Sequence, residues 1–563
     1  METDILIIGG GPAGSTLASL LLRYRPQTRV TVVERAAFPR FHVGETLVSD
    51  INRVLHEMGA WPAVEATGFV RKYGATFRWG VPDEPWDMLF AGMDALRPDA
   101  PPGGPEEVQT AWTFHVDRAR YDQVLLDHAR SLGAEVLFGT VSALLEEEGR
   151  VVGALVDGQP RRARMVVDAT GQSGLMGSLA ERELDPHLRN VAWWGYFRGF
   201  SLEPALNGTL DRSRAFIVAH PVGWSWYFPI RPDLVSVGVV TTLEAHRQRT
   251  VGDDEAFFRE ALAGCPDIAR LLQDAELVPY APDLPRVHRI ADFSYISRSI
   301  VKPGLVRVGD AAGFVDPILS VGCFLGQNGA RLLAYSLLSL LRGDSGFTED
   351  ELLASYAEQV REVLSAYREI TWFFYRFNER PEAWWARARE LVQDAGLPRR
   401  ATDLQAFTAF ASGFAARRGV VGEPTRQFDE PFLLDAFRRL VDPQAEPTPP
   451  ARLAPDTRPA LVGPCLLSER AVPVDGTGRM IRALRVEVQG GRFDEAETAF
   501  VRRMMVPLTM RPLFGLLDGS RDLPQLQREL GAQMGLGPAH EADLGRYLRT
   551  VLTGLQERGL LKG

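Results

Sequence analysis

Asp4-Ile5-Leu6-Ile7-Ile8-Gly9-Gly10-Gly11-Pro12-Ala13-Gly14, close to the start of the chain, decides the fold. Its first residues form a short apolar run rich in β-branched side chains, as a parallel strand buried on both faces requires. Gly9, Gly11 and Gly14 then give the G-x-G-x-x-G spacing, with Pro12 and Ala13 between them, and leucines recur at helical spacing from Ser15 to Arg25. Arg29 to Glu34 reads as a second buried strand, which completes one βαβ unit. The glycines allow a tight turn and close backbone approach to a pyrophosphate, and the helix N-terminus supplies N–H donors and a positive dipole end. Glu34, twenty residues past Gly14, can accept from a ribose hydroxyl. The unit is therefore predicted to bind a dinucleotide.

Working outward, Val166 to Gly171 and Leu305 to Gly309 return to the same buried-strand style, while Ala215–Ala219, Ser225–Ile230 and Leu234–Thr241 read as ordinary sheet. A nucleotide domain built from 1–105, 106–175 and 285–345 is predicted, with a mixed β-sheet substrate domain, 176–284, inserted in it. From 346 to 441 the pattern is helical and aromatic, with Trp372, Phe373, Phe374, Phe377, Trp384, Trp385, Phe407, Phe410 and Phe414 as packing residues or a pocket wall. Residues 442–459 hold six prolines among polar residues, which is linker chemistry, so a C-terminal module is expected over 460–563.

Length and composition exclude several classes. At roughly 150 residues per domain, 563 residues make about three to four domains, and 45% apolar content can bury large cores. Three cysteines, Cys265, Cys323 and Cys465, are too few and scattered for a disulfide framework or a zinc cluster, so no metal is expected and a reducing cytoplasm is the natural setting. With 63 basic and 72 acidic residues the net charge is −9 and mixed along the chain, so no nucleic-acid partner is expected. No apolar run approaches the ~20 residues of a membrane span, and no membrane partner is expected either.

Gly309-Asp310-Ala311-Ala312-Gly313, after the strand at Leu305–Val308, places a carboxylate and small residues ahead of a helix, a fit to the ribityl and pyrophosphate of FAD. With Arg118 in Val116-Asp117-Arg118-Ala119-Arg120 and with Asp168-Ala169-Thr170-Gly171, this resembles the FAD-binding fold of flavoprotein monooxygenases of the hydroxybenzoate hydroxylase type. Four further segments carry a narrower likeness. Gly223-Trp224-Ser225-Trp226-Tyr227-Phe228-Pro229 fits a W-x-W-x-[IF]-P pattern; the others are Arg71-Lys72-Tyr73-Gly74-Ala75-Thr76, Phe38-Pro39-Arg40-Phe41-His42-Val43-Gly44-Glu45-Thr46, and Asp316-Pro317-Ile318-Leu319-Ser320-Val321-Gly322. Over roughly 1–440 the chain resembles the flavin-dependent halogenases, nearer the branch acting on phenols and pyrroles than the tryptophan halogenases. It departs from the latter in having Leu319 where they carry a glutamate beside the serine.

The resemblance implies an α/β fold and FADH2- and oxygen-dependent chlorination or bromination of an electron-rich aromatic, free or held on a carrier protein or peptide. Halide would attack a flavin C4a-hydroperoxide, and hypohalous acid would cross a tunnel to Lys72. It assigns Gly9, Gly11, Pro12, Ala13, Gly14, Glu34, Arg35, Arg40, Gly44, Glu45, Arg118, Asp310 and Gly322 to the cofactor, and Val321 and Gly322 to the halide. Trp224 and Trp226, two apart on a strand and so on one face, would wall the substrate from the flavin. Only one dinucleotide fingerprint is present, so reduced FAD would come from a separate reductase. Two other readings stay open: a halogenase-like monooxygenase that hydroxylates without halide, and a non-catalytic flavin-binding regulator. In the terminal module, helices at Pro512–Leu517, after Asp522, and at Asp543–Gly559 resemble a small winged-helix unit of the kind found in peptide-recognition domains.

Overall fold

The computed structural model describes residues 3–80, 84–90, 111–175, 181–201, 214–248, 253–343, 346–375, 403–413, 453–474, 476–489, 501–536, 541–557 and 560–562. The first strand, Thr3–Ile8, lies inside a parallel sheet whose order is Leu305–Arg307, Gln159–Asp168, Thr3–Ile8, Val30–Glu34, Glu135–Phe138. Ile5 stands opposite Met165 on one side and Val30 on the other. Ile5 and Ile7 enter the main core, while Leu6 and Ile8 enter a smaller core beneath the hairpin Val141–Glu147/Arg150–Val156. Both faces are covered, so the run is apolar at every position instead of alternating. The helices Pro12–Tyr24 and Gly322–Arg342 pack together on the main-core face, where Leu17, Leu21, Leu333 and Leu337 are fully buried. Each such leucine stabilises the fold by about 1.5–3 kcal/mol.

The second sheet runs Glu276–Val278, Asn190–Arg198, Leu234–Thr242, Gly223–Arg231, Arg214–His220, Gly74–Arg78, Pro85–Leu89, with Val287–Ala291 also paired to Asn190–Arg198. It extends beyond the predicted 176–284. It recruits Gly74–Arg78, which pairs in parallel with Arg214–His220, and Pro85–Leu89, both assigned from sequence to the nucleotide domain, and also Val287–Ala291. Its two faces are distinguished by period-two alternation: Trp224, Trp226 and Phe228 join the main core, whereas Tyr227 packs with Phe257 and Phe258 under the helices Asp254–Ala263 and Pro266–Leu271.

The helical region supplies Glu349–Phe374, started by a capping box between Thr348 and Glu351, and Asp403–Ala411. Phe377, Trp384, Trp385, Phe414 and the linker prolines up to Pro450 lie outside the described residues. The terminal module is three antiparallel strands, Cys465–Val474, Arg479–Gln489 and Val501–Pro507, followed by the helices Arg511–Leu516, Leu523–Gln533 and Glu541–Glu557 around their own core. Sequence reading found the helices but not the strands. The module also starts earlier than 460, because Leu523 donates to the Pro455 carbonyl and Gly519 to that of Pro459. Its first hairpin grips the main body: Gly476 N–H donates to the Tyr335 hydroxyl, Met480 N–H to Ser339 Oγ, and Arg342 to the Gly478 carbonyl.

Candidate functional site

Where the first strand meets its helix, the glycines are there for steric reasons. Gly9 has φ +113°, and a Cβ on it would lie 2.3 Å from the Ala169 carbonyl oxygen; one on Gly14 would lie 2.0 Å from that of Gly9. Glu34, at the end of the second strand, accepts from Gly10 N–H (2.8 Å) and Ala36 N–H (3.0 Å), so it fixes the turn. Arg40 lies over Gly11, with a guanidinium nitrogen 3.3 Å from where a Cβ there would be. Its Nε is buried and has no hydrogen-bond partner, although Glu34 and Asp122 stand 4.0 and 3.6 Å from the guanidinium. A half-buried guanidinium whose Nε has no hydrogen-bond partner, beside a bare glycine turn, is a fit to a pyrophosphate.

Arg118 opens the helix Arg118–Ser131 and is bidentate to Asp122 one turn on (2.8 and 3.0 Å), while Nη1 donates to the carbonyl of Val43 at 2.6 Å. Burial works against its charge, but the Asp122 carboxylate more than offsets this and its pKa is raised. Gly44 has φ +95° and its missing Cβ leaves room for this guanidinium. Asp310 receives Gln172 Nε2 at 3.4 Å, and burial lifts its carboxyl to about 6 against the pull of Arg118. These groups form one anion-accepting cleft at the carboxyl ends of the parallel strands, where an open α/β sheet binds its ligand. Two predicted cofactor residues are engaged by other partners. Arg35 is on the exposed rim, bonded to Ser173 Oγ at 2.8 Å. Glu45, 3% exposed, turns its carboxyl to the Tyr196 hydroxyl (2.7 Å) and to Ser236 in the second sheet, and burial raises it to about 7.

The segment Gly44-Glu45-Thr46-Leu47 links this cleft to a second place. At one end Gly44 touches Arg118; at the other the Leu47 carbonyl accepts from Lys72 Nζ at 2.8 Å. Three residues of extended chain reach at most about 10 Å. Lys72 ends the strand Val70–Lys72, is 1% exposed, and lies 5.5 Å from the Phe90 ring centre. It has no carboxylate partner among the described residues, and burial pulls its pKa down to about 7. Nearby, Thr46 bridges to His115, and rings follow one another from His115 to Phe228 (6.1 Å), Trp226 (6.1 Å), Trp224 (5.9 Å), Trp79 (6.2 Å) and Phe374 (5.0 Å). Trp226 lies across Gly238 of the next strand, where a Cβ would come within 2.1 Å of the indole. Both tryptophans thus face the main core beside the lysine's strand.

The turn ahead of the helix Gly322–Arg342 completes the site. Asp316 caps the short helical turn Pro317–Leu319 by accepting from Ile318 N–H at 3.0 Å. Ser320 is left-handed (φ +58°) and Val321 right-handed (φ −90°), a pairing that aims successive N–H groups at one point. The Ser320 N–H is used by the Pro317 carbonyl, which leaves those of Val321 and Gly322 at the N-terminus of a 21-residue helix. Sequence reasoning missed Leu47 and Tyr375, which reach the site only through tertiary contacts.

The sequence profile of the tryptophan halogenases matches residues 4–100 and 93–444. The chain is 34% identical over 407 residues to a tryptophan 2-halogenase of Chondromyces crocatus, covering 70% of this chain and 72% of that one. It is 34% identical over 396 residues to a 1H-pyrrole-2-carbonyl-[peptidyl-carrier protein] chlorinase of Pseudomonas fluorescens, covering 67% and 84%. The crystal structure of CmlS, a flavin-dependent halogenase, superposes with TM-score 0.66 at 26% identity and covers 100% of this chain and 96% of that one, terminal module included. The chain belongs to the tryptophan halogenase family, the flavin-dependent halogenases.

Proposed function

We propose that the protein chlorinates or brominates an electron-rich aromatic of the phenol or pyrrole class, with the oxidant made at the nucleotide cleft and used at Lys72. The observation that carries this reading is the burial of Lys72 against the Phe90 ring, with no carboxylate partner among the described residues, one short segment away from the cleft. Gly9, Gly11, Pro12, Ala13, Gly14, Glu34, Arg40, Arg118 and Asp310 would hold FAD, with Arg35 at its rim. Bound and reduced, FAD supplies the electrons that let oxygen bring a halide to the level of hypohalous acid. The amides of Val321 and Gly322 would hold the halide as a pair of uncharged donors. The ammonium of Lys72 donates a hydrogen bond to the hypohalous acid and orients it toward the ring. Trp224 and Trp226 keep the organic substrate on the lysine side.

A separate reductase would supply reduced FAD, and the free cysteines suit the cytoplasm where such a reductase works. The pyrrolyl-carrier relatives favour a tethered substrate, and the winged-helix-like terminal module would be a docking point for the carrier. Purified protein with a flavin reductase, NADH, oxygen and bromide, offered a pyrrole or phenol both free and as a carrier thioester, is expected to give brominated product by mass spectrometry. Hydroxylated product without bromination would overturn the proposal.

A further inference from the structure

The halide turn is tied to the tryptophan wall by one hydroxyl group. Tyr375 follows the 26-residue helix Glu349–Phe374 and reaches back into the site. Its oxygen accepts from Trp224 Nε1 at 2.8 Å and from Asn190 Nδ2 at 3.0 Å, and it donates to Asp316 Oδ2 at 3.0 Å. Asn190 also donates to the same carboxylate oxygen at 3.3 Å, while Asp316 Oδ1 holds Ile318 N–H. A phenol has one proton and two lone pairs, and all three are engaged here, so the hydroxyl has a single orientation. Asp316 and Asn190 are buried at 3% and 1% exposure, where each hydrogen bond is strengthened and a lost one is costly.

The tyrosine is held by a rigid element. The end of its helix is fixed where Trp79 Nε1 donates to the Phe374 carbonyl and Trp372 Nε1 to Asp185. Its earlier turns are held by the terminal module: Ser355 donates to the Ala471 carbonyl, and Arg485 pairs with Glu358 and Glu362. The helix spans about 39 Å at 1.5 Å per residue, and its far end arrives at the turn with the phenol in a fixed place.

We propose that Tyr375 is a positioning residue for the halide: by joining Trp224 to Asp316 it holds the turn Asp316–Gly322 in the shape that aims the Val321 and Gly322 amides at one anion. It acts through Asp316 and does not touch the halide. Small misplacement of a fixed donor pair weakens binding strongly. The inference rests on the assignment of the halide to this turn.

Tyr375→Phe removes the oxygen and keeps the ring. In the holoenzyme with reductase, the KM for bromide is expected to rise about ten-fold, with kcat at saturating bromide within about two-fold of the wild type, and FAD affinity unchanged. At low bromide more reduced flavin is oxidised without product. An unchanged KM for bromide, or a fall in kcat that saturating bromide does not restore, overturns the inference. Should Tyr375→Phe fold poorly, Asp316→Asn keeps the shape and is read by the same KM. Gly322→Ala separates the two layers, since its Cβ would lie 2.9 Å from the Phe314 ring and push the turn. If it leaves the KM for bromide unmoved, the halide assignment itself fails; if it raises that KM while Tyr375→Phe does not, only the role of Tyr375 falls.

Discussion

Two buried cations stand at opposite ends of Gly44–Leu47 and are held in opposite ways. Arg118 is locked by two hydrogen bonds to Asp122 and stays charged. Lys72 has a backbone carbonyl and a ring face, and its pKa sits near 7. A paired guanidinium is scaffolding: its charge is spent on its neighbour and its shape organises the loop at Val43 and Gly44. An amine buried without a counter-ion costs stability and keeps its donors for a guest, which is the mark of a group retained for chemistry.

The contrast is broken most severely by Lys72→Ala, which is expected to lower halogenated product by about 100-fold or more, the scale of a positioned proton donor, with FAD binding unchanged; flavin titration beside product mass spectrometry checks both halves. Arg118→Ala should do the reverse. It leaves Asp122 buried and alone, costs about 3–5 kcal/mol, and abolishes FAD retention, read by thermal denaturation and by flavin co-purification. Arg118→Lys should rescue it poorly, because an ammonium cannot make the bidentate pair.

Lys72→Met should stabilise the protein by a few kcal/mol at most, since each tenfold loss of proton affinity on folding corresponds to ~1.4 kcal/mol. The folded pKa is about 7 and the ordinary one 10.5. Below pH 7 the folded chain must bury the ammonium, so the cost is fully present. Between 7 and 10.5 the unfolded chain binds the extra proton, so wild-type stability rises with pH. The advantage of methionine should therefore be largest at pH 6 and shrink toward pH 10; a gain independent of pH would show that Lys72 is charged throughout. The smallest effect is expected from Arg40→Ala. Its Nε has no hydrogen bond to lose, so folding stability should hold, while FAD affinity drops about ten-fold, the weight of one charge-assisted contact at ~1.5 kcal/mol.

The nucleotide end was legible because its chemistry is local. Gly9, Gly14 and Glu34 act on one another within a single βαβ unit, and spacing along the chain is spacing in the fold. Trp224 and Trp226 were legible for the same reason, through the period of a strand. The partner of the Glu45 carboxyl was not legible because the sequence shows its neighbours in the chain but not Tyr196, 151 residues away. The strands of the terminal module were missed because Arg482, Arg485 and Glu487 interrupt their apolar pattern: Arg482 is matched by Glu351 and Arg485 by Glu358 and Glu362 of a distant helix, while Glu487 pairs with Arg485 on its own strand.

Motif spacing and strand periodicity, read from the residues alone, pointed to an α/β dinucleotide-binding fold and put Trp224 and Trp226 on one strand face, while the family resemblance supplied Lys72, Val321 and Gly322 as candidates. Only the folded molecule could decide that Lys72 is buried with no carboxylate partner among the described residues, that Gly74–Arg78 belongs to the second sheet, and that Tyr375 meets Asp316 and Trp224. Turns and caps are set by neighbours a few residues apart, whereas dielectric environment and three-way hydrogen bonds depend on which distant segments are packed around a group.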